Sequence, residues 1–342
     1  ATLLNYAEVT EIRKDAEGYV DGVTAREVET GEEFHALAKV VINATGAFSD
    51  RLRRIAEPDA APMIAPSQGI HLVFDGAFLA GESAIMVPHT RDGRVLFAIP
   101  WHGHTLVGTT DTAIPAATLE PVAMDEEIDF ILSTAGQYLA RAPRRDDVLS
   151  VFAGVRPLVR TAKASTAELS RDHVIHIDRS GLISVMGGKW TTYRHMAEDC
   201  VDQAATFAEL PERPCVTQDL RIHGFHAGAK EFGSLSVYGS DALHIRKLIE
   251  TDVSLGGRLH PALPYVNAEV VWAVRQEMAR TVEDVLARRT RALFLNAAAA
   301  LEMAPVVADV MACELGWGEA AKAAQLAAFR EIAKNYTLRA PG

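Results

Sequence analysis

Four short runs in this chain hold the residues best suited to chemistry. The first is "SVMGGKWTTYRHMAEDC", residues 184–200, where a short apolar run leads into Gly187-Gly188, then Lys189, then a helical pattern opening near Thr191 and Thr192. Paired glycines let a ligand approach the backbone, and the first amides of a helix carry about half a positive charge. With a lysine beside them, such a turn suits a phosphate, or a ring that gathers negative charge on accepting hydride. A glycine-rich turn with a solvated lysine is the equal alternative. The second run is "GVRPL", where Arg156 interrupts an apolar strand pattern. An arginine there needs a partner, either an internal carboxylate or an anionic ligand that its planar fork can grip. Arg171, in "SRDH", is a second residue of this kind. The third is His71, in "SQGIHLVF". A histidine suits removal of a hydroxyl proton during alcohol oxidation, although a histidine in a strand is more often structural. The fourth is Asn43-Ala44-Thr45-Gly46, between a strand pattern and a helix pattern. It favours an anion at the helix start, or is an ordinary strand-to-helix turn. His102 and His104 lack a third ligand, so no metal site is predicted.

The elements that must position these residues alternate in kind. Residues 1–46 read as strands with turns at Asp21-Gly22 and Thr30-Gly31, ending in the run Val40–Asn43, which reads as a strand buried on both faces of a parallel sheet. A helical stretch, "AFSDRLRRIAE", follows. After Pro58, Pro62 and Pro66, residues 67–112 predict an antiparallel sheet with turns at 91–93 and His102-Gly103, and residues 125–142 predict a helix. Strand patterns return from residue 148, a helix follows the Gly187-Gly188 turn, and residues 240–336 are almost all helical.

Composition bounds the reading. A length of 342 residues predicts two or three units, and a net charge of −11 argues against a nucleic-acid partner. Cys200, Cys215 and Cys313 lie far apart, which predicts neither a disulfide framework nor a zinc site and fits a reducing cytoplasm. The chain opens on Ala1 in a strand-like run without an initiator methionine, which reads as a piece of a longer protein.

Taken together, "NATGAFSD", "SQGIHLVF", "VLFAIPWHGHTLVGTTDT", "FAGVRPLV", "SRDHVIHI", "VMGGKWTTYRHMAED" and "EMARTVEDVLARRTRALFLN" resemble, in content and order, the FAD-dependent, quinone-linked glycerol-3-phosphate dehydrogenases. The resemblance runs from residue 1 to near 320. It implies a mixed α/β and α+β fold: an incomplete FAD domain of the glutathione-reductase type (1–55 and 148–215), a substrate domain on an antiparallel sheet (56–147), and an all-helical C-terminal domain (216–342). It implies oxidation of sn-glycerol 3-phosphate to dihydroxyacetone phosphate by hydride transfer to FAD. His71, Arg156 and Lys189 would be catalytic, and Arg156, Arg171 and Lys189 would bind substrate. Ala44, Thr45, Gly46, Gly187, Gly188, Thr191 and Thr192 would meet the cofactor. Electrons would pass to quinone at the inner face of the cytoplasmic membrane, touched without being crossed; exposed strand edges would favour a homodimer. Related glycerol-3-phosphate oxidases share most of these motifs and use oxygen instead, so the acceptor stays open.

One departure is large. The family opens with a strand, a G-x-G-x-x-G turn and a helix that cradle the FAD pyrophosphate. Here Gly22, Gly31 and Gly46 stand isolated. The expectation is therefore a truncated flavoprotein, inactive and flavin-free by itself, with a non-catalytic fragment or a helical interaction module (240–336) as the competing reading.

Overall fold

Alternation of apolar and polar residues sets the first elements. In the computed structural model, which describes residues 1–79, 81–87, 90, 95–160 and 172–338, the chain begins with strands β1 (Ala7–Lys14), β2 (Val20–Glu27), β3 (Glu33–Leu37) and β4 (Ile42–Asn43), followed by helix α1 (Ser49–Ala56). Next come β5 (Ile64–Asp75), β6 (Ile85–Val87), β7 (Leu96–Trp101), β8 (His104–Gly108), β9 (Thr112–Ala113) and α2 (Asp125–Ala135). Then follow β10 (Ser150–Val159), β11 (His173–Ile177), β12 (Ile183–Gly187) and α3 (Tyr193–Phe207). The last helices are α4 (Ala242–Thr251), α5 (Asn267–Gln276), α6 (Ala292–Leu295), α7 (Ala297–Leu315) and α8 (Glu319–Ala333). These elements divide between two compact units, one of residues 1–68, 111–119 and 154–220 and one of residues 69–110, 120–153 and 221–342.

In the first unit, β1, β2 and β3 form an antiparallel meander, and β4 lies parallel to β12, which is antiparallel to β11. The first turn falls at Asp15–Gly18 rather than at Asp21-Gly22, because the Asp15 carboxylate accepts the Glu17 and Tyr19 amides at 3.0 and 2.8 Å and closes it. Asp21 and Gly22 instead lie inside β2, where Gly22 pairs with Leu37. The Val40–Asn43 run keeps only two strand residues, at a sheet edge, and Ile42 is 42% exposed.

Two buried polar groups hold this unit. The Arg53 guanidinium reaches Asp178 at 2.9 Å, Asp50 at 3.2 Å and the Ala61 carbonyl at 2.8 Å, and Asp50 in turn accepts the Met63 and Ile64 amides. The Asn43 amide donates to the Ser49 carbonyl at 3.0 Å and to the Ser184 hydroxyl at 3.1 Å, joining β4, α1 and β12. Around them pack small apolar clusters such as Ile12, Val20, Ala56 and Leu182.

In the second unit, β5, β8, β7 and β6 form an antiparallel sheet whose β7–β8 hairpin turns at His102-Gly103, as the sequence predicts. Helix α2 lays Ile128, Ile131 and Ala135 against Ile70, Leu72 and Phe74 of this sheet. It stops at Ala135, short of the expected residue 142, with Gly136 as its C-cap. The later helices bury a separate core including Val270, Leu286, Met303 and Val307. Among the described residues no helix is long and apolar enough to cross a membrane.

One buried acid makes the helical core pH-sensitive. Glu269, 2% exposed, accepts the Val266 amide at 2.8 Å and the Tyr238 hydroxyl at 3.0 Å. Burial nevertheless pushes its carboxyl from 4.5 up to about 7, against the pull of these two donors. The folded state therefore holds more protons than the unfolded chain across this window, so stability falls as pH rises from 4.5 to about 7 and levels off above. Glu269→Gln keeps an acceptor oxygen and removes the titration. Relative to the unmutated protein, it is expected to gain up to about 3 kcal/mol of stability between about pH 5 and about pH 8 in urea unfolding. Parallel pH profiles for the two proteins would contradict this.

Candidate active site

Strand β12 ends on a reversal that most side chains could not follow. Gly187 and Gly188 have φ of +71° and +79°, in the left-handed region. A Cβ on Gly187 would lie 2.8 Å from the Asp172 carbonyl oxygen and 2.9 Å from Val159 Cγ2, and one on Gly188 would lie 2.5 Å from Met196 Sδ. Gly187 is thus required by packing against the backbone, whereas at Gly188 the flexible end of Met196 could move aside. The bare backbone this leaves forms one wall of a cavity of about 310 Å³, lined by Arg156, Pro157, Leu158, Gly187, Gly188, Lys189 and Trp190.

Two cations face this cavity. Arg156, near the end of β10, donates to the Gln68 carbonyl at 3.3 Å and lies 3.5 Å from the Asp111 carboxylate, with its side chain 32% exposed. Asp111 also accepts the Ser67 hydroxyl. Arg156 is therefore held from both sides of the β5–β9 pairing, where Gln68 faces Thr112. At 3.5 Å the ion pair with Asp111 is long for a charge-assisted hydrogen bond. Lys189 is exposed and has no hydrogen bond or carboxylate partner among the described residues. The turn after it is a single 3₁₀ step at 190–192, closed by the Thr192 amide and hydroxyl on the Lys189 carbonyl, both at 3.0 Å. No side chain caps it or α3, which follows. Trp190, 84% exposed, stacks on Tyr193 with ring centroids 5.0 Å apart.

The structure thus gathers Arg156, Gly187, Gly188 and Lys189 at one cavity. Thr191 and Thr192 lie in the turn beside it. Ala44, Thr45 and Gly46 do not line it; they follow β4, which Asn43 ties to β12, and the Thr45 hydroxyl donates to the Asn43 side-chain oxygen at 2.7 Å. Arg171 lies outside the described residues. His71 belongs to the second unit, half-buried on β5, where its ring stacks on Phe152 at 5.3 Å and lies over Gly108 of β8. Phe152 meets Phe294 edge-on at 4.9 Å. In the same unit, burial lowers the His102 imidazole pKa, helped by the nearby Arg291 and His104 charges. Sequence reasoning missed Gln68 and Asp111 as partners of Arg156. The only trace of Asp111 is an acid standing directly after an apolar strand run in "TLVGTTD".

Comparison with known proteins adds a second line. A family model for FAD dependent oxidoreductases matches residues 1–194, and one for the C-terminal domain of alpha-glycerophosphate oxidase matches residues 215–322. The probable mitochondrial glycerol-3-phosphate dehydrogenase of Caenorhabditis elegans is 41% identical over 95% of this chain and 48% of its own length. The human mitochondrial enzyme of that name is 37% identical over 97% of this chain and 49% of its own length. The chain therefore spans about half the length of these curated relatives. A crystal structure of the glycerol-3-phosphate dehydrogenase from Bacillus halodurans complexed with FAD superposes with a TM-score of 0.81 at 30% identity, over 99% of this chain and 71% of that one.

The glycine reversal has a measurable cost. Gly31 has a similar φ, +79°, with open space where its Cβ would be, whereas Gly187 has none. Gly31→Ala is expected to cost only the backbone strain, about 1 kcal/mol, and Gly187→Ala about 2–3 kcal/mol by urea unfolding. Equal losses would contradict the packing account.

Proposed function

Because the chain belongs to the FAD-dependent oxidoreductases, among the glycerol-3-phosphate dehydrogenases, we propose that the protein oxidises sn-glycerol 3-phosphate to dihydroxyacetone phosphate. The observation that carries this reading is the cavity where Arg156 and Lys189 stand together beside the bare Gly187-Gly188 backbone. Two cations at one concave site suit a dianionic phosphate, and a small polyol phosphate is of the right size. FAD, when bound, accepts the hydride from the substrate carbon. The residues present fit such a cofactor: the wall at Gly187-Gly188 carries no side chain, and Lys189 has no internal partner among the described residues.

In this reading Arg156 grips the phosphate with its planar fork while Gln68 and Asp111 hold the guanidinium in place. Lys189 shares the phosphate with Arg156 and stabilises negative charge at the cofactor edge, and Arg171 assists at the phosphate. His71 takes the hydroxyl proton on an imidazole nitrogen, its ring fixed by Phe152 and Gly108. Ala44, Thr45, Gly46, Gly187, Gly188, Thr191 and Thr192 hold the FAD. The cofactor portion is residues 1–55 and 148–215, the substrate portion 56–147, and the helical portion 216–342.

We also propose that quinone takes the electrons at a membrane surface, the protein lying on the inner face of the cytoplasmic membrane as a homodimer. The glycerol-3-phosphate dehydrogenase names of the relatives support this acceptor over oxygen. The match of residues 215–322 to an alpha-glycerophosphate oxidase domain favours oxygen as the second reading. Peroxide release during turnover separates the two.

The test is steady-state kinetics with glycerol 3-phosphate in the complete flavoprotein, read beside flavin absorbance. Arg156→Ala is expected to lose about 2–4 kcal/mol of transition-state stabilisation with flavin content intact. Lys189→Ala should lower the flavin's reduction potential as well as turnover. His71→Asn should lower turnover and change its pH dependence. Near-normal activity in Arg156→Ala would make the arginine a structural ion pair and sink the phosphate assignment.

A further inference from the structure

Helix α1 carries three arginines, and they meet different fates. Arg53 points inward and is saturated by Asp178, Asp50 and the Ala61 carbonyl. Arg51 and Arg54 point into a cleft of about 460 Å³ in the first unit, joined there by Arg160 from the chain just after β10. Among the described residues only Arg51 of the three has an ion pair, and it is a long one. Arg51 lies 3.5 Å from Glu8, a long contact to a carboxylate that already pairs with Arg26 at 2.7 Å. Arg54 has no ion pair or hydrogen bond among the described residues. Among the described residues Arg160 uses only its Nε, donating to the Ile64 carbonyl at 3.1 Å, which leaves its two terminal nitrogens without a partner there.

The acid in the cleft does not offset them. Asp50 lines it, but both carboxylate oxygens already accept the Met63 amide, one also accepts the Ile64 amide, and Arg53 bonds to it as well. The remaining walls are apolar and stiff, including Phe48, Pro62, Pro66 and Pro115. Three like charges around one concavity repel each other, and a multivalent anion relieves that repulsion more than a carboxylate would. The chain bears a net charge of −11, so this concentration of positive charge runs against its average. The cleft shares no lining residue with the cavity of Arg156 and Lys189.

We propose that the Arg51–Arg54–Arg160 cleft is an anion-binding site for a phosphate ester, the guanidiniums taking the phosphate and the Phe48 and proline walls taking its organic part. A soluble phosphate ester and the headgroup of an anionic phospholipid share this chemistry.

The experiment uses the complete flavoprotein and equilibrium dialysis against radiolabelled inorganic phosphate. The unmutated protein should hold about two phosphates per chain, one in the cleft and one at Arg156. Arg51→Gln/Arg54→Gln should weaken one of them about tenfold or more while flavin content and the KM for glycerol 3-phosphate stay unchanged, and Arg51→Lys/Arg54→Lys should restore most of the affinity. Arg156→Ala should remove only the other, so its outcome bears on the catalytic reading and not on this one. Flotation with phosphatidylglycerol vesicles, against phosphatidylcholine vesicles, then assigns the source. Weaker flotation of the Gln variant marks a lipid headgroup, and unchanged flotation marks a soluble ester. The proposal is overturned if the Gln variant binds phosphate like the unmutated protein, or if that protein holds phosphate only at Arg156. It is overturned too if the Gln variant loses its FAD, which would assign the arginines to the cofactor.

Discussion

The first unit depends on one buried guanidinium. Arg53 and Asp178 have side chains 5% and 3% exposed; without Arg53 the buried Asp178 carboxylate would lose its guanidinium partner, whereas Arg53 keeps Asp50 as a second carboxylate. Removing one partner of such a pair costs about 3–5 kcal/mol, far more than a surface ion pair is worth. The contact ties α1 to Asp178, whose amide and carbonyl neighbours close the β11–β12 turn. Asp50, on the same helix, fixes the first residues of β5. Glu57, just past the helix, accepts the Ser180 amide at 2.8 Å, and the Ser180 carbonyl accepts Val20 of β2. One helix thereby sets the positions of β2, β5 and β12. The ends of β12 and β10 then carry Gly187, Lys189 and Arg156.

This scaffold explains how positive charge is kept available in an acidic chain. Arg53 is spent on structure, with its pKa raised chiefly by the hydrogen bond to Asp178. Arg156 shares Asp111 with Ser67, because that carboxylate also accepts the Ser67 hydroxyl. Lys189 has no side-chain partner among the described residues. A restrained arginine loses little side-chain order when it meets an anion.

Much of this was legible in the sequence, for identifiable reasons. The Gly187-Gly188-Lys189 reversal showed because paired glycines between a strand and a helix pattern mark a sharp turn, and the β7–β8 hairpin because His102-Gly103 carries turn chemistry. Arg156 stood out as an arginine in an apolar run, but its partner Asp111 is 45 positions away, and no periodicity links them. The turn expected at Asp21-Gly22 was misplaced because glycine also serves inside strands: Gly22 pairs with Leu37, while the true turn is closed by the Asp15 side chain. The apolar Val40–Asn43 run looked doubly buried, yet β4 is an edge strand and exposes Ile42. Burial of a short apolar run is decided by its neighbours in space, and composition does not name them.

The central claim is that Arg156 and Lys189 together receive the phosphate of the substrate. A crystal structure of the complete flavoprotein with dihydroxyacetone phosphate bound tests it most directly. The account predicts phosphate oxygens within hydrogen-bonding distance of both the Arg156 guanidinium and the Lys189 ammonium, against the Gly187-Gly188 wall. A ligand bound elsewhere, with no phosphate oxygen at Arg156 or Lys189, would contradict it.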